Sequence, residues 1–208
     1  MQRDMKVRRK GTRDAVAQAA ETLFFERGYA AASMDDLAAA AGVARRTLYN
    51  QFSTKEDILR EVLLRVSQRL GEVLPPGIET MGDADEVLYR VAHAICKFQM
   101  RPEHVGLVRL VAAENRQSPW IGGEFRAIID RHMERLARLL EHWTKVGILD
   151  CRDPLLAAQQ FTNLFGMLLW PRVFGDHGPL PPPEKVVEEA VQMFLLRYRR
   201  APGGKRRA

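Results

Sequence analysis

One segment of the chain is the most informative: Ser33-Met-Asp-Asp-Leu-Ala-Ala-Ala-Ala-Gly-Val-Ala-Arg-Arg-Thr-Leu-Tyr-Asn-Gln-Phe52. Ser33, with an acid three residues later, predicts the start of a short alanine-rich helix, and Gly42 predicts its end. Residues 45–52 predict a second short helix, in which Leu48 and Phe52 share one face. Two short helices around a tight turn are stable only when they pack on a neighbour, so the segment is typical of a helix-turn-helix.

Apolar residues recur at helical spacing through most of the chain, and strand alternation is nearly absent. The pattern predicts a first helix at 12–27, a fourth at 53–74 that opens with the capping box Ser53-Thr-Lys-Glu56, and an eighth at 154–170. Five prolines in 171–183 predict an extended loop before a ninth helix. We therefore expect an all-α protein of about nine helices.

Composition places the chain among soluble globular proteins. Of its 208 residues, 46% are hydrophobic and 28% are charged, close to the average for folded domains. No apolar run approaches the roughly 18 residues of a membrane-spanning helix, and the N-terminal residues lead into no secretion signal. We expect a cytoplasmic protein with no membrane partner. Its two cysteines, Cys96 and Cys151, are too few for a disulfide framework.

The net charge of +6 is concentrated at the two ends of the chain. Residues 1–13 carry six basic side chains and one acid, and residues 197–208 carry six basic side chains and no acid, whereas the other 20 basic and 25 acidic residues give −5. A basic arm suggests nucleic acid as a partner, although a solvated tail has the same composition. We predict that residues 3–13 contact phosphate or the minor groove, and that the termini 1–7 and 201–208 are flexible.

Three strings occur in order along the N-terminal third: Leu23-Phe-x-Glu-Arg-Gly-Tyr29, Ser33-Met-Asp-Asp-Leu-Ala-x-x-Ala-Gly-Val43 and Arg46-Thr-Leu-Tyr-x-x-Phe-x-x-Lys-Glu56. Together they resemble the DNA-binding domain of the TetR family of bacterial transcriptional regulators. The resemblance implies a three-helix helix-turn-helix domain at 8–60, with its motif at 33–52. It also implies a larger helical domain at 61–200 for effector binding and dimerisation, and a regulator that is more commonly a repressor.

The resemblance implies that the second helix of the motif enters the major groove, with its first residues nearest to base edges and phosphates. Tyr49 and Lys55 match positions that bind backbone phosphate, and Ser33 caps a helix whose amides also face phosphate. Asn50 and Gln51 replace the usual aromatic or histidine side chains, and amides suit the adenine edge. For each side chain, phosphate binding or simple exposure is an alternative. The expected DNA-binding residues are Ser33, Ala44, Arg45, Arg46, Thr47, Tyr49, Asn50 and Lys55.

One helix-turn-helix reads only a short half-site, so pairing two copies about a two-fold axis increases affinity and specificity. The last two predicted helices are more apolar than ordinary surface helices. The resemblance implies a four-helix bundle built from these helices of two subunits, so we predict a homodimer on double-stranded DNA. The expected interface residues are Phe161, Leu164, Leu168, Val187, Val191 and Phe194. The same residues would also suit the core of a single subunit.

Polar and aromatic side chains on the fifth to eighth helices exceed what a pure core requires, and they predict a small-molecule pocket between helices. The expected lining is His104, Arg109, Glu114, Trp143, Gln160, Asn163 and Phe165. Each of these residues alone could equally be structural. If an effector binds there, we expect the fourth helix to transmit its binding to the DNA-reading unit by a population shift.

Catalysis is disfavoured, because the five histidines are scattered and no metal spacing, glycine-rich phosphate loop or nucleophile elbow occurs. We expect no enzymatic activity, no cofactor and no metal. A DNA-binding regulator or architectural protein without a small-molecule effector explains the same helix-turn-helix and is the alternative.

Overall fold

The computed structural model describes the backbone of residues 2–78, 82–175 and 178–200, and the side chains of these ranges from residue 11 onward. Within these ranges the protein is helical, without a β-strand, and no helix is long and apolar enough to cross a membrane. The ten helices of the described residues are α1 (Gln2–Arg27), α2 (Met34–Ala40), α3 (Arg45–Tyr49), α4 (Lys55–Gly71), α5 (Ala84–Gln99), α6 (Pro102–Glu114), α7 (Pro119–Lys145), α8 (Pro154–Asn163), α9 (Gly166–Phe174) and α10 (Pro183–Tyr198).

Helix α1 begins at Gln2, well before the predicted start at residue 12. The segment 2–7, which we expected to be flexible, is therefore helical. The reason is local: its arginine, lysine, methionine and glutamine residues are good helix formers. Residue 1 and the basic segment 201–208 lie outside the described residues, so the expected flexibility there stays a prediction.

The N-terminus of α4 differs by one residue from the predicted capping box at Ser53. The amide of Thr54 donates to Asp57 Oδ2 at 3.0 Å, and the amide of Asp57 donates to Thr54 Oγ1 at 3.1 Å. The two reciprocal hydrogen bonds of a capping box are therefore present, but they join Thr54 and Asp57 rather than Ser53 and Glu56. Helix α4 also ends at Gly71, before the predicted end at 74.

The predicted helix 154–170 consists of two helices. At the junction, the amide of Phe165 donates to Thr162 O at 3.3 Å, a three-residue step that interrupts the α-helical pattern before α9 begins. Helix α9 then continues through Pro171, although a proline lacks an amide donor and crowds the preceding turn. It ends at Phe174, and Gly175 follows with φ +78°. The described residues therefore form ten helices rather than the expected nine, and the loop begins four residues later than the predicted 171.

The helices form two compact units. The first contains the chain up to Gln68 together with Pro102–Arg126, and the second contains Arg69–Arg101 and the chain from Ala127 onward. The first unit is larger than the predicted domain 8–60 because it includes α6 and the start of α7. Its core is formed by buried side chains of α1 to α4 and of the loop between α3 and α4: Val16, Phe24, Leu37, Leu48, Phe52, Ile58, Leu59 and Val62.

The second unit has an aromatic centre. The ring of Phe161 lies 5.5 Å from that of Phe165 and 4.8 Å from that of Phe194, which in turn lies 4.7 Å from Tyr198. Trp143 of α7 is also buried in this core. Edge-to-face and tilted contacts of this kind add stability beyond that of buried area, so α8 and α10 are fixed against each other within one subunit.

Candidate DNA-binding site

The turn between α2 and α3 has the geometry that its sequence predicts. The Ser33 amide donates to Asp36 Oδ2 at 3.0 Å and the Asp36 amide donates to Ser33 Oγ at 3.1 Å, which is a complete capping box. The hydrogen bonds from Ser33 lower the pKa of Asp36. Gly42 takes φ +63°, a left-handed conformation that disfavours other residues, and Leu48 is fully buried beneath α3. The turn therefore holds α3 on the core with its opposite face outward.

The outward face of α3 carries two guanidinium groups, a phenol and an amide. Arg45 Nε lies 3.1 Å from Asp35 Oδ1, and its guanidinium lies 5.7 Å from the ring centre of Tyr49. A hydrogen bond to Tyr49 and then the charge of Asp35 raise the pKa of Arg45. Such a row can bind phosphate oxygens and base edges. The exposed residues are Ala44, Arg45, Arg46, Tyr49 and Asn50, and Thr47 is half-buried.

Arg13 holds α1, the end of the motif and α4 together. Its Nε and Nη2 lie 2.7 Å and 2.6 Å from Glu61 Oε2, its Nη1 donates to Gln51 O at 3.0 Å, and its guanidinium lies 4.2 Å above the Phe52 ring. We expected residues 3–13 to contact DNA. Three of the five N–H donors of Arg13 are engaged within the protein, so its contact with DNA stays a prediction. The side chains of 3–10 lie outside the described residues.

Lys55 has a role different from the predicted phosphate contact. Its Nζ donates to three backbone carbonyls of the loop between α1 and α2, those of Tyr29 at 2.8 Å, Ala30 at 3.2 Å and Ala32 at 2.8 Å. The ammonium group also lies 4.5 Å from the centre of the Tyr29 ring. An ammonium has three N–H donors, and all three are used here. The geometry therefore makes Lys55 an anchor of the loop that leads into α2.

The seven predicted pocket residues belong to two different units. His104, Arg109 and Glu114 belong to α6 in the first unit, where the Glu114 carboxylate accepts the Ala30 amide at 3.1 Å. The second unit contains Trp143, Gln160, Asn163 and Phe165. Trp143 and Phe165 are packed in the core, Gln160 accepts the Tyr198 hydroxyl, and Asn163 is exposed, so the pocket stays a prediction. Burial lowers the pKa of His104 to about 4, so its imidazole is neutral at pH 7.

The structure corrects five of the six predicted interface residues, whereas the half-buried Leu164 stays a prediction. Five of them are buried in their own subunit, and Leu164 packs against the same core. The periodicity identified the most apolar face of each helix, and that face is the one a single chain buries. Other apolar side chains of α8 to α10 are exposed. They are Leu155, Leu156, Met167, Trp170, Phe174, Met193 and Leu196.

The interactions of Arg13 and Glu61, and of Glu114 and Ala30, were missed by sequence reasoning. The partners are separated by 48 and 84 residues, so no local spacing could have paired them. All four residues stabilise the unit that presents α3.

Comparison with known proteins adds to this geometry. A model of "Bacterial regulatory proteins, tetR family" matches residues 17–62, and a model of "AefR-like transcriptional repressor, C-terminal domain" matches residues 86–200. A TetR-family regulator structure from Mesorhizobium loti is 27% identical over 92% of this chain and 98% of that chain, with a TM-score of 0.77. The structure of the flavonoid-responsive regulator FrrA is 30% identical over 91% and 98%, with a TM-score of 0.74.

Among curated proteins, the transcriptional regulator AlkX of Mycobacterium tuberculosis is 36% identical over 58 residues, which are 28% of each chain. The chain spans from 28% to 52% of the length of the first curated relatives it matches. The two family models nevertheless match most of the chain, and the outward face of α3 fits the first of them. The protein belongs to the TetR family of bacterial regulatory proteins.

Proposed function

We propose that the protein is a repressor that binds a palindromic operator as a homodimer and is released by a small molecule bound in its C-terminal domain. The observation that carries this proposal is the exposed cationic face of α3, which is held outward by the buried Leu48 and by the capped α2. The proposed site of action is the cytoplasm, where operator DNA lies.

Sequence reading is assigned to α3. Its Arg45 is held near Asp35 and Tyr49, so it loses little side-chain freedom when it binds DNA. Arg46 is exposed one residue further on, and a bidentate arginine is the commonest specific contact to guanine. A helix of five residues reaches few base pairs, which is why the proposal includes a second subunit on the next half-site.

Selection from a random double-stranded DNA pool tests operator recognition. We expect the full-length protein to enrich a palindrome whose half-sites lie about one helical turn, or a multiple of it, apart. The variant Arg46→Ala should lose preference at one position of each half-site. Enrichment of a sequence without two-fold symmetry, or of none, would contradict the proposal.

The proposed dimer surface consists of the exposed apolar side chains on α8 to α10. Leu196 is 88% exposed and Phe174 is 78% exposed, and the Phe174 ring stacks on that of Trp170 at 6.1 Å. Large apolar side chains that a folded chain leaves exposed mark a candidate association surface. We therefore expect Leu196→Glu to shift sedimentation towards the monomer. The control is Leu64→Glu, which places the same charge at a half-exposed leucine of the first unit.

Release by an effector requires an element that extends from the effector-binding part to the DNA-reading part. Helix α4 starts at Lys55 in the first unit, and its last residues, from Arg69, belong to the second. A ligand that prefers the conformation with the wrong half-site spacing would shift the population away from DNA. Loss of operator binding on addition of a compound that also raises the melting temperature would support this step.

A further inference from the structure

The second unit contains a cavity of about 290 Å³ between α7 and the segment that follows α4. One wall is the rigid pair Pro75 and Pro76, whose rings restrict the backbone, and the other wall is α7. Its volume is near the lower end of the range for small-molecule sites, which is about 300 Å³. None of the residues that we predicted for the effector pocket lines this cavity.

The lining of the cavity divides into an apolar part and a basic part. Leu139 is nearly buried and, with the prolines, forms the apolar part. The basic part is formed by Arg135, Arg138 and His142 of α7. None of the described residues that line the cavity is acidic.

The basic side chains have different tasks. Arg135 Nη1 donates to Gly71 O at 3.2 Å and its Nη2 donates to Leu74 O, so this side chain fixes the wall that follows α4. Arg138 and His142 lie one helical turn apart on the same face of α7, and both are exposed at the cavity mouth. The nearby Glu141 is engaged by Lys145 at 2.8 Å and is not part of the lining.

We propose that this cavity binds a small organic carboxylate, with its apolar body against Leu139 and the prolines and its carboxylate on Arg138 and His142. This inference rests on the proposed function, since it gives the chemical class of the effector. Guanidinium and carboxylate form charge-assisted hydrogen bonds that a neutral ligand cannot replace. The apolar wall disfavours a bare inorganic anion, whose hydration would be lost without compensation.

Calorimetry with the full-length protein tests the site, with octanoate and 3-phenylpropionate as the probes. Both should bind, and octanamide should bind at least about tenfold more weakly than octanoate because it lacks the charge. Arg138→Gln should weaken octanoate by about tenfold or more, whereas Arg138→Lys should retain most of the affinity. The matched control is Arg131→Gln, an exposed arginine of α7 that does not line the cavity and should leave binding unchanged.

Equal binding of octanoate and octanamide, equal affinity of the wild type and Arg138→Gln, or no binding of either carboxylate at millimolar concentration would overturn the site. Operator release, measured separately, distinguishes this result from failure of the proposed function. Binding that depends on Arg138 without release of DNA would support the site and refute its role as the effector site. A third outcome is that carboxylates do not bind, while another compound releases operator DNA from the wild type and from Arg138→Gln with equal potency. That outcome would refute the site and leave the proposed function standing.

Discussion

Replacement of Lys55 by methionine tests whether this residue anchors the loop before α2 or binds DNA phosphate. The change keeps the length of the side chain and removes the ammonium group that donates to the carbonyls of Tyr29, Ala30 and Ala32. Hydrogen bonds from a charged group contribute about 1.5–3 kcal/mol each in favourable cases. The site is half-buried, so water replaces part of this energy, and we expect a total loss of about 2 kcal/mol. In a chain of this size, that loss lowers the melting temperature by about 4–8 °C.

Two measurements separate the alternatives. Thermal unfolding followed by circular dichroism reports the loss of stability, and fluorescence anisotropy with operator DNA at several salt concentrations reports phosphate contacts. An anchoring role predicts a lower melting temperature and an unchanged salt dependence of affinity. Lys185→Met, an exposed lysine of α10, is the matched control and should change neither quantity. An unchanged melting temperature together with a salt slope reduced by about one would refute the anchoring role and restore the phosphate contact.

Three further predictions concern other parts of the molecule. Arg46→Ala should cost about 1–3 kcal/mol of operator affinity and relax one base position, as measured by anisotropy with single-base operator variants; an equal loss on random DNA would assign Arg46 to phosphate. Burial holds the pKa of His104 at about 4, below the usual 6.5, so the unfolded chain binds a proton first as the pH falls. The neutral, buried imidazole makes its full contribution to stability above pH 6.5, and we expect the free energy of unfolding to fall by about 2 kcal/mol between pH 7 and pH 5. Urea unfolding of the variant His104→Gln should lack this pH dependence. A Cβ at Gly106 would lie 2.8 Å from the Phe25 ring, so Gly106→Ala should cost about 1–3 kcal/mol in urea unfolding, whereas Gly123→Ala, which has open space, should be neutral or stabilising.

Local sequence patterns predicted the elements well. The capping box at Ser33, the glycine turn at Gly42 and the buried Leu48 depend on residues at most a few positions apart, so their spacing alone specifies the helix-turn-helix. The same reasoning placed helix ends less accurately at Ser53, where two neighbouring residues can both cap, and at Pro171, where the proline did not end the helix.

Patterns of hydrophobicity identified apolar helices in the C-terminal part but assigned their faces wrongly. Phe161, Val191 and Phe194 fill the core of their own subunit, and the exposed apolar side chains, such as Trp170 and Leu196, lie on other faces. The periodicity of apolar residues identifies the most apolar face of a helix, and that face is buried in the core of the single chain. Whether a second face is covered by another subunit is a property of the assembled surface.

The sequence by itself therefore determined the all-α class, the helix-turn-helix and the residues that α3 presents, because these depend on interactions between near neighbours. Only the tertiary structure decided which basic side chains are available to ligands. Arg13 and Lys55 are engaged with residues 48 and 23–26 positions away, and the cavity at Arg138 is bordered by a segment about 60 positions earlier in the chain. Such pairings depend on how helices pack, which fixes distances that no spacing along the chain specifies.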